Sequence, residues 1–416
     1  MKCAYILSGI CLLSCLTNVR AAYSFTLEAN LRTAYLGSYN IYVRPEANVK
    51  VTVGLNIITL NSLSISSNTM SLAGYLTMKW DDQRLDWSAD STYKDDIPAI
   101  YSSQDYIWRP ALIIENSVSD ISVISNTDDL MRIEKSGSIT WTPSNIYSTH
   151  CETDVTFYPF DTQKCDFTVT SWGYNSIEIN LQLDSEPVRL SYFKENGEWT
   201  YEGYTTSSST GTREGASTPE LTYTLKFKRR PYFYIMNTII PTILLAFLSA
   251  MVFRLPPDSG EKMGYCLTVL LAYAVYLTIV SSFMPSTSSS TSVLSVYLLI
   301  VLALGVISVF ITIYVLECRH KKEEVPVPRW LSKWSMGCCG KFACWKDYKC
   351  LCGRKIKPED DNTTIEKFKN IDENDTPTWK DICHILDAFF LRIYFIVIGL
   401  LTCILLLTLI ISYNVK

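Results

Sequence analysis

The side chains with the plainest chemistry are two thiols. Cys151 and Cys165 are the only cysteines between Tyr23 and Pro231, and thirteen residues, ETDVTFYPFDTQK, lie between them. Such a pair in a secreted segment predicts a disulfide, and closing a loop of about 15 residues is worth about 3 kcal/mol in loop entropy. The tip of that loop, Tyr158-Pro159-Phe160-Asp161, is apolar and ends in one carboxylate. It suits contact with something apolar. A second set recurs at intervals of three or four: Glu261, Gly264, Thr268, Leu271, Val275, Ile279 and Ser282. That spacing is one face of a helix. A carboxylate, hydroxyls and bulky apolar residues in line fit a water-lining helix, where polar rings pass ions and an apolar ring stops them by dewetting. They also fit a helix packed among neighbours, where a Thr and a Ser are ordinary. His150 is the only histidine before the apolar spans, and no free thiol accompanies it. With no nucleophile–base pairing, neither an enzyme nor a cofactor is expected.

The elements that position these residues follow from the distribution of apolar and charged side chains. The chain has 416 residues, 48% of them apolar, with a net charge of −4. Residues 1–21 read as a secretory signal cut after Ala21. Residues 22–231 read as β structure with strands at Val49–Leu60, Tyr75–Trp80, Phe167–Trp172 and Leu221–Phe227. Asn196-Gly197 and the Ser/Thr/Gly run 205–218 serve as turns between them. Many short strands without helical periods predict a sandwich. This region holds 26 acidic against 17 basic residues, a net of −9. That excess either concentrates cations at the surface or serves solubility; no nucleic-acid partner is expected.

Four apolar spans follow: Tyr232–Phe253, Met263–Phe283, Ser292–Leu316 and Ala388–Tyr413. Each is long enough to cross about 30 Å of hydrocarbon as a helix. Arg254 and Lys262 lie between the first two. Arg319, Lys321, Lys322, Arg329 and Lys333 follow the third, whereas 284–291 carries no charge. The positive-inside bias therefore puts 254–262 and 317–387 in the cytosol and both termini outside. The expected organisation is a signal at 1–21, an extracellular domain at 22–231, three spans within 232–316, a cytosolic loop at 317–387, and the last span with a short tail at 388–416. Val327–Trp334 reads as a short amphipathic helix, and Ile365–Leu386 as a charged helix entering the last span. Cys338, Cys339, Cys344, Cys350 and Cys352 lack the CxxC spacing of a zinc site, so no metal is expected. They fit reversible palmitoylation or plain thiols. The sequons at Asn362 and Asn374 would then be cytosolic chance matches.

On these residues the chain resembles a subunit of a Cys-loop pentameric ligand-gated ion channel, nearest the nicotinic acetylcholine receptor branch. The resemblance runs from about residue 30 to the end. It rests on the Cys151–Cys165 loop with YPFD, Trp80-x6-Trp87, Ile107-Trp108-Arg109-Pro110, Ser171-Trp172, Lys228-Arg229-Arg230-Pro231, LPPDSGEKM at 255–263 and MPSTSSS at 284–290. It implies an extracellular all-β, immunoglobulin-like sandwich, an α-helical four-span transmembrane domain, and a homopentamer or heteropentamer in the plasma membrane among membrane lipid. The second span would line the pore, Glu261 would form a ring favouring monovalent cations, and Leu271 would be the apolar gate.

The resemblance also implies an aromatic pocket for a small-molecule ligand between subunits. Trp172 matches its central tryptophan, and Tyr75 stands where the partner face offers a tryptophan. Glu115 replaces a tyrosine. The hairpin Tyr204–Pro219 lacks paired cysteines, and Arg213 and Thr218 take its two tyrosine positions, with Tyr204 the nearest aromatic. Read alone, Trp172 is a strand tryptophan of the kind that is usually core, and it is the match to the family that assigns it to the pocket. Trp80, Trp87 and Trp108 go to the core, and Trp141 to the core or the partner face. Pro159, Phe160, Asp161 and Arg229 match the residues that couple ligand closure to the pore. Ser62–Asn68 lacks the acidic residue usual in that network, and Ser292 replaces a proline.

Overall fold

The computed structural model describes residues 23–257, 260–284, 291–322, 325–335 and 378–415. The signal segment, both sequons, the five clustered cysteines and residues 365–377 of the expected charged helix lie outside the described residues. The chain divides into two compact units: Met1–Thr153 with Gln163–Lys228, and Asp154–Thr162 with Arg229–Lys416.

The first unit is a two-sheet sandwich preceded by a helix, α1 (Phe25–Leu36). The strands are β1 (Val49–Ser64), β2 (Thr69–Asp86), β3 (Ala99–Ser102), β4 (Leu112–Ile114), β5 (Met131–Glu134), β6 (Ser136–Trp141), β7 (Ser144–His150), β8 (Thr162–Ser171), β9 (Ile179–Arg189), β10 (Trp199–Arg213) and β11 (Ala216–Arg229). One sheet has the order β3-β5-β6-β2-β1-β9, with β7 also on β2; the other runs β10-β11-β8-β4. β1 pairs antiparallel with β2 and parallel with β9. Where β1 meets β2, any Cβ at Gly74 would run into the Asn56 carbonyl, so only glycine fits.

Helix α1 has no counterpart in the sequence reading. Its apolar side is narrow, with Leu31 alone buried. A Ser24 cap and an i,i+4 Arg32–Glu28 pair at 2.8 Å support it instead.

The core lies between the sheets. Trp80, Trp87 and Trp108 are buried as expected, with Trp80 edge-on to Trp108 at 6.2 Å. Phe167 of β8 meets Tyr147 of β7 at 5.4 Å and Tyr223 of β11 at 6.3 Å. The Tyr223 hydroxyl donates to the Val53 carbonyl of β1 at 2.9 Å, which satisfies a buried polar group while joining the sheets. Strand β11 alternates with period two: Leu221, Tyr223, Leu225, Phe227 and Arg229 are all buried. A one-residue slip would bury Lys228 in place of Arg229.

The run 205–218 is not a turn. It is most of a long hairpin, and only Glu214 and Gly215, both at positive φ, form its turn. Two such residues make the two-residue connection that matches strand twist. Ser and Thr suit exposed strands as well as turns, and composition does not separate the two.

Cys151 and Cys165 are bonded. Replacing both by alanine will lower the stability of this unit by about 3 kcal/mol, read from its denaturant midpoint. An unchanged midpoint would mean that the loop is held by packing alone.

Among its described residues the second unit has four helices long and apolar enough to cross a membrane: Tyr232–Arg254, Lys262–Ser282, Val293–His320 and Trp379–Ser412. The first contains a π-turn at Ile235–Ile239. Pro241 has no N–H for the Asn237 carbonyl, and the Tyr276 hydroxyl of the second span donates there at 2.8 Å. The short helix Arg329–Trp334 falls within the expected amphipathic segment. The described part of the last helix begins at Trp379, so residues 379–386 are helical and run into the apolar span from Ala388, as expected of the charged segment that enters it. Lys380, Asp381, His384 and Asp387 dilute hydropathy there. A helical stripe nevertheless survives, and Trp379, Ile382, Cys383 and Leu386 pack on Val315, Cys318 and Leu331.

Candidate functional site

Trp172 follows the end of β8, where its N–H donates to the Ala111 carbonyl at 2.8 Å. The residue is 47% exposed, unlike the core tryptophans. Glu115 follows β4. Arg213 ends β10, beside the turn, and its guanidinium lies 5.3 Å from the centroid of the Trp172 ring. It donates to Glu115 Oε1 at 3.2 Å and to the Ser171 carbonyl at 3.4 Å. The hairpin is pinned here, because Ser176 N–H donates to the Ser217 carbonyl at 2.7 Å and the Thr170 hydroxyl to the Pro219 carbonyl at 3.0 Å. A cavity of about 430 Å³ opens against Trp172, Tyr174, Glu178, Arg213, Glu214 and Thr218.

Of the sequence-predicted pocket residues, Trp172, Glu115, Arg213 and Thr218 therefore converge in one chain. Tyr75 does not join them: it sits on β2 in the other sheet, half-buried, opposite Asn56 and Ser144. Tyr204, on β10, is 38% exposed and off the cavity wall. Trp141 is fully buried on β6, with the Arg109 guanidinium 5.6 Å from its ring. Its assignment to a pocket or partner face is corrected to the core, since inward register on β6 leaves no ring face for a ligand. Burial holds the Arg109 guanidinium below its ordinary pKa, against the pull of Asp105.

Sequence reasoning missed Tyr174 and Arg44. Arg44 lies 5.8 Å from the Tyr174 ring and 3.4 Å from Glu178. An aromatic two residues after Trp172 was the available signal for Tyr174; Arg44 carried none.

A second cluster surrounds Arg229. Its Nε and Nη2 donate to both Asp161 oxygens at 2.8 and 3.2 Å, and its Nη1 donates to the Tyr234 hydroxyl at 3.1 Å. The rings of Tyr158 and Tyr234 lie 5.1 and 4.9 Å from the guanidinium. Pro159 is buried and Phe160 half-buried. Burial works against the charge on Arg229, but the Asp161 carboxylate more than offsets it and the pKa is raised. The Thr156 carbonyl on the same loop accepts from Val293 N–H at the start of the third span, at 3.0 Å. The loop tip is thus part of the helical unit.

The third set runs along the second span. Glu261, Gly264, Thr268, Leu271, Val275, Ile279 and Ser282 are all exposed, Leu271 most among the apolar ones at 65%. Lys262, Cys266, Tyr273 and Val280 are the buried residues of this helix. The Thr268 hydroxyl donates to the Gly264 carbonyl at 2.8 Å and the Ser282 hydroxyl to the Ile279 carbonyl at 2.7 Å. With their protons turned inward, both oxygens offer only lone pairs outward.

The family model for the neurotransmitter-gated ion-channel ligand binding domain matches residues 28–231, and that for the neurotransmitter-gated ion-channel transmembrane region matches residues 238–378. The chain belongs to the neurotransmitter-gated ion-channel family. Among its relatives is the neuronal acetylcholine receptor subunit alpha-6 of Rattus norvegicus, 34% identical over 335 residues, 78% of this chain and 67% of the relative. The acetylcholine receptor subunit alpha of Danio rerio is 33% identical over 312 residues, 73% of this chain and 67% of the relative. The alpha-1-A subunit of Xenopus laevis is 32% identical over 320 residues, 75% and 69%. This neurotransmitter-gated channel subunit is therefore a Cys-loop receptor chain with nicotinic receptor homologues, and not an enzyme.

One further feature of the channel subunit escaped the sequence reading. Lys262, counted there among loop charges, is fully buried and pairs with Asp387 of the last helix at 2.5 Å. It ties the base of the second span to a helix 125 residues away.

Proposed function

We propose that this chain is a subunit of a ligand-gated cation channel, in which a small ligand at extracellular subunit faces opens a central pore lined by the second span. Five copies, or copies mixed with related chains, would surround that pore in the plasma membrane. The N- and C-termini would be extracellular, as the Lys and Arg bias of the loops supports.

The observation that carries this reading is the face from Glu261 to Ser282. It is exposed along its length, on the span whose apolar window is least buried, at 17%. A helix that met only lipid on that side would have no use for a carboxylate at its base and acceptor hydroxyls above it. Rings of Glu261 and of outward hydroxyl oxygens favour monovalent cations, and a ring of Leu271 closes the pore by dewetting. Asp161, Arg229, Pro159 and Phe160 would couple the ligand-binding domain to the helices.

Arg213 over Trp172 favours a second reading beside this one. In it, the chain is an accessory subunit and gates only in a heteromer whose partner carries a complete site.

The test is voltage-clamp recording of wild type and Leu271→Thr, each challenged with cationic, zwitterionic and acidic small ligands and with pH steps. Leu271→Thr should open at roughly tenfold lower ligand concentration or without ligand, because a hydroxyl ring wets where leucine does not. Its currents should reverse with the sodium and potassium gradients and ignore chloride replacement. Reversal that tracked chloride would refute cation selectivity. Silence of both surface-expressed forms, alone and beside related subunits, would refute the channel itself. Silence alone but altered current beside a partner would mark the accessory subunit.

A further inference from the structure

We propose that Arg213 is the resident cation of the Trp172 site: the chain fills this site with its own guanidinium, and a free ammonium ligand binds only when that group is removed. The inference rests on the reading of this pocket as a ligand face.

Three electron-rich groups converge there. They are the exposed face of Trp172, the carboxylate of Glu115 and the carbonyl of Ser171. A ring face attracts a cation through its quadrupole, and the carboxylate and carbonyl accept hydrogen bonds, so all three ask for positive charge. Arg213 meets all three and is the only cationic residue on the cavity wall, which also holds the carboxylates of Glu178 and Glu214.

Alternative occupants fare worse. A carboxylate ligand would meet a guanidinium whose charge Glu115 already offsets, and would sit beside the carboxylates of Glu178 and Glu214. A free ammonium would have to displace a group that the hairpin delivers at high effective concentration. That hairpin is itself held down through Ser217 and Pro219. The neighbouring ring follows the same pattern, since Tyr174 is faced by Arg44. Arg213 is therefore a specificity determinant: with it in place, the site rejects the quaternary ammonium class that an aromatic and acidic site would otherwise take.

The experiment measures tetramethylammonium binding to the full-length protein in lipid nanodiscs by saturation-transfer NMR, with acetate as a second probe. Wild type should bind tetramethylammonium weakly or not at all. Arg213→Ala should bind it at least roughly tenfold more tightly, and adding Trp172→Leu should abolish the gain. Arg213→Gln, closer in size, covers the case in which the alanine variant folds poorly, and melting temperatures verify that each form is intact. Arg213→Lys should keep the site closed.

Equal affinity in wild type and Arg213→Ala would overturn the proposal. So would an intact Arg213→Gln that binds nothing, or wild type that binds acetate in an Arg213-dependent way. Because binding is read without current, a silent channel leaves this result standing, and a failure here leaves the channel reading standing.

Discussion

Arg229→Ala will reach the cell surface in a small fraction of the wild-type amount and will pass no ligand-evoked current. Both partners of the Arg229–Asp161 pair are 2% exposed, so neither is solvated by water. Removing one member of a buried, hydrogen-bonded pair costs about 3–5 kcal/mol, because the remaining charge keeps its desolvation penalty and loses its counter-charge. Arg229 also sits between two tyrosine rings, and alanine leaves that space empty. Against a typical folding stability of about 5–15 kcal/mol this is a large share. The double variant Asp161→Asn with Arg229→Gln should recover part of the surface yield, since two neutral amides cost less to bury than one charge. Surface biotinylation with a melting curve on each variant checks it. Wild-type yield and melting for Arg229→Ala would show that the fork is dispensable, and normal currents would remove these residues from any coupling role.

The second large effect is expected inside the helical unit. Lys262→Met will lower the melting temperature of the detergent-solubilised protein sharply, again by about 3–5 kcal/mol, by leaving Asp387 uncompensated where its side chain is 8% exposed. Asp387→Leu alone should be comparably harmful, for it strands a fully buried ammonium. The double variant Lys262→Met with Asp387→Leu should regain most of the loss, since well-packed apolar residues often replace a buried pair at little cost. The three melting temperatures form a double-mutant cycle with a strong coupling term. Simple addition of the two single losses would mean that the groups act separately.

How much of this was legible beforehand differs from residue to residue, and the division follows sequence distance. The Cys151–Cys165 bond needed only two thiols in an otherwise cysteine-free β region, together with the entropy of a short loop. The spans needed only apolar length, and the helical period put seven residues of the second span on one face without saying what that face meets. The strand expected at Leu221–Phe227 is likewise found, within β11. All of these are local and repeat along the chain.

The misses are of two kinds. Some are local signals that compete: serine and threonine fit the β10–β11 hairpin as well as a turn. Others arise from distance. Arg213 meets Glu115 across 98 positions, and Lys262 meets Asp387 across 125. Trp141 turned inward although its neighbours in sequence permitted either face.

By itself, then, the sequence determined the class of this protein: a disulfide-closed loop in a β domain, four spans, and a polar-and-apolar stripe on the second. The tertiary structure alone decided that the exposed tryptophan is faced by the chain's own arginine, and that the lysine at the base of the second span is buried against the last helix. The physical reason is that burial and charge pairing depend on what the rest of the chain brings within about 4 Å, where Coulomb and hydrogen-bond energies become large. Local periodicity sets which way a side chain points, but not what it meets there.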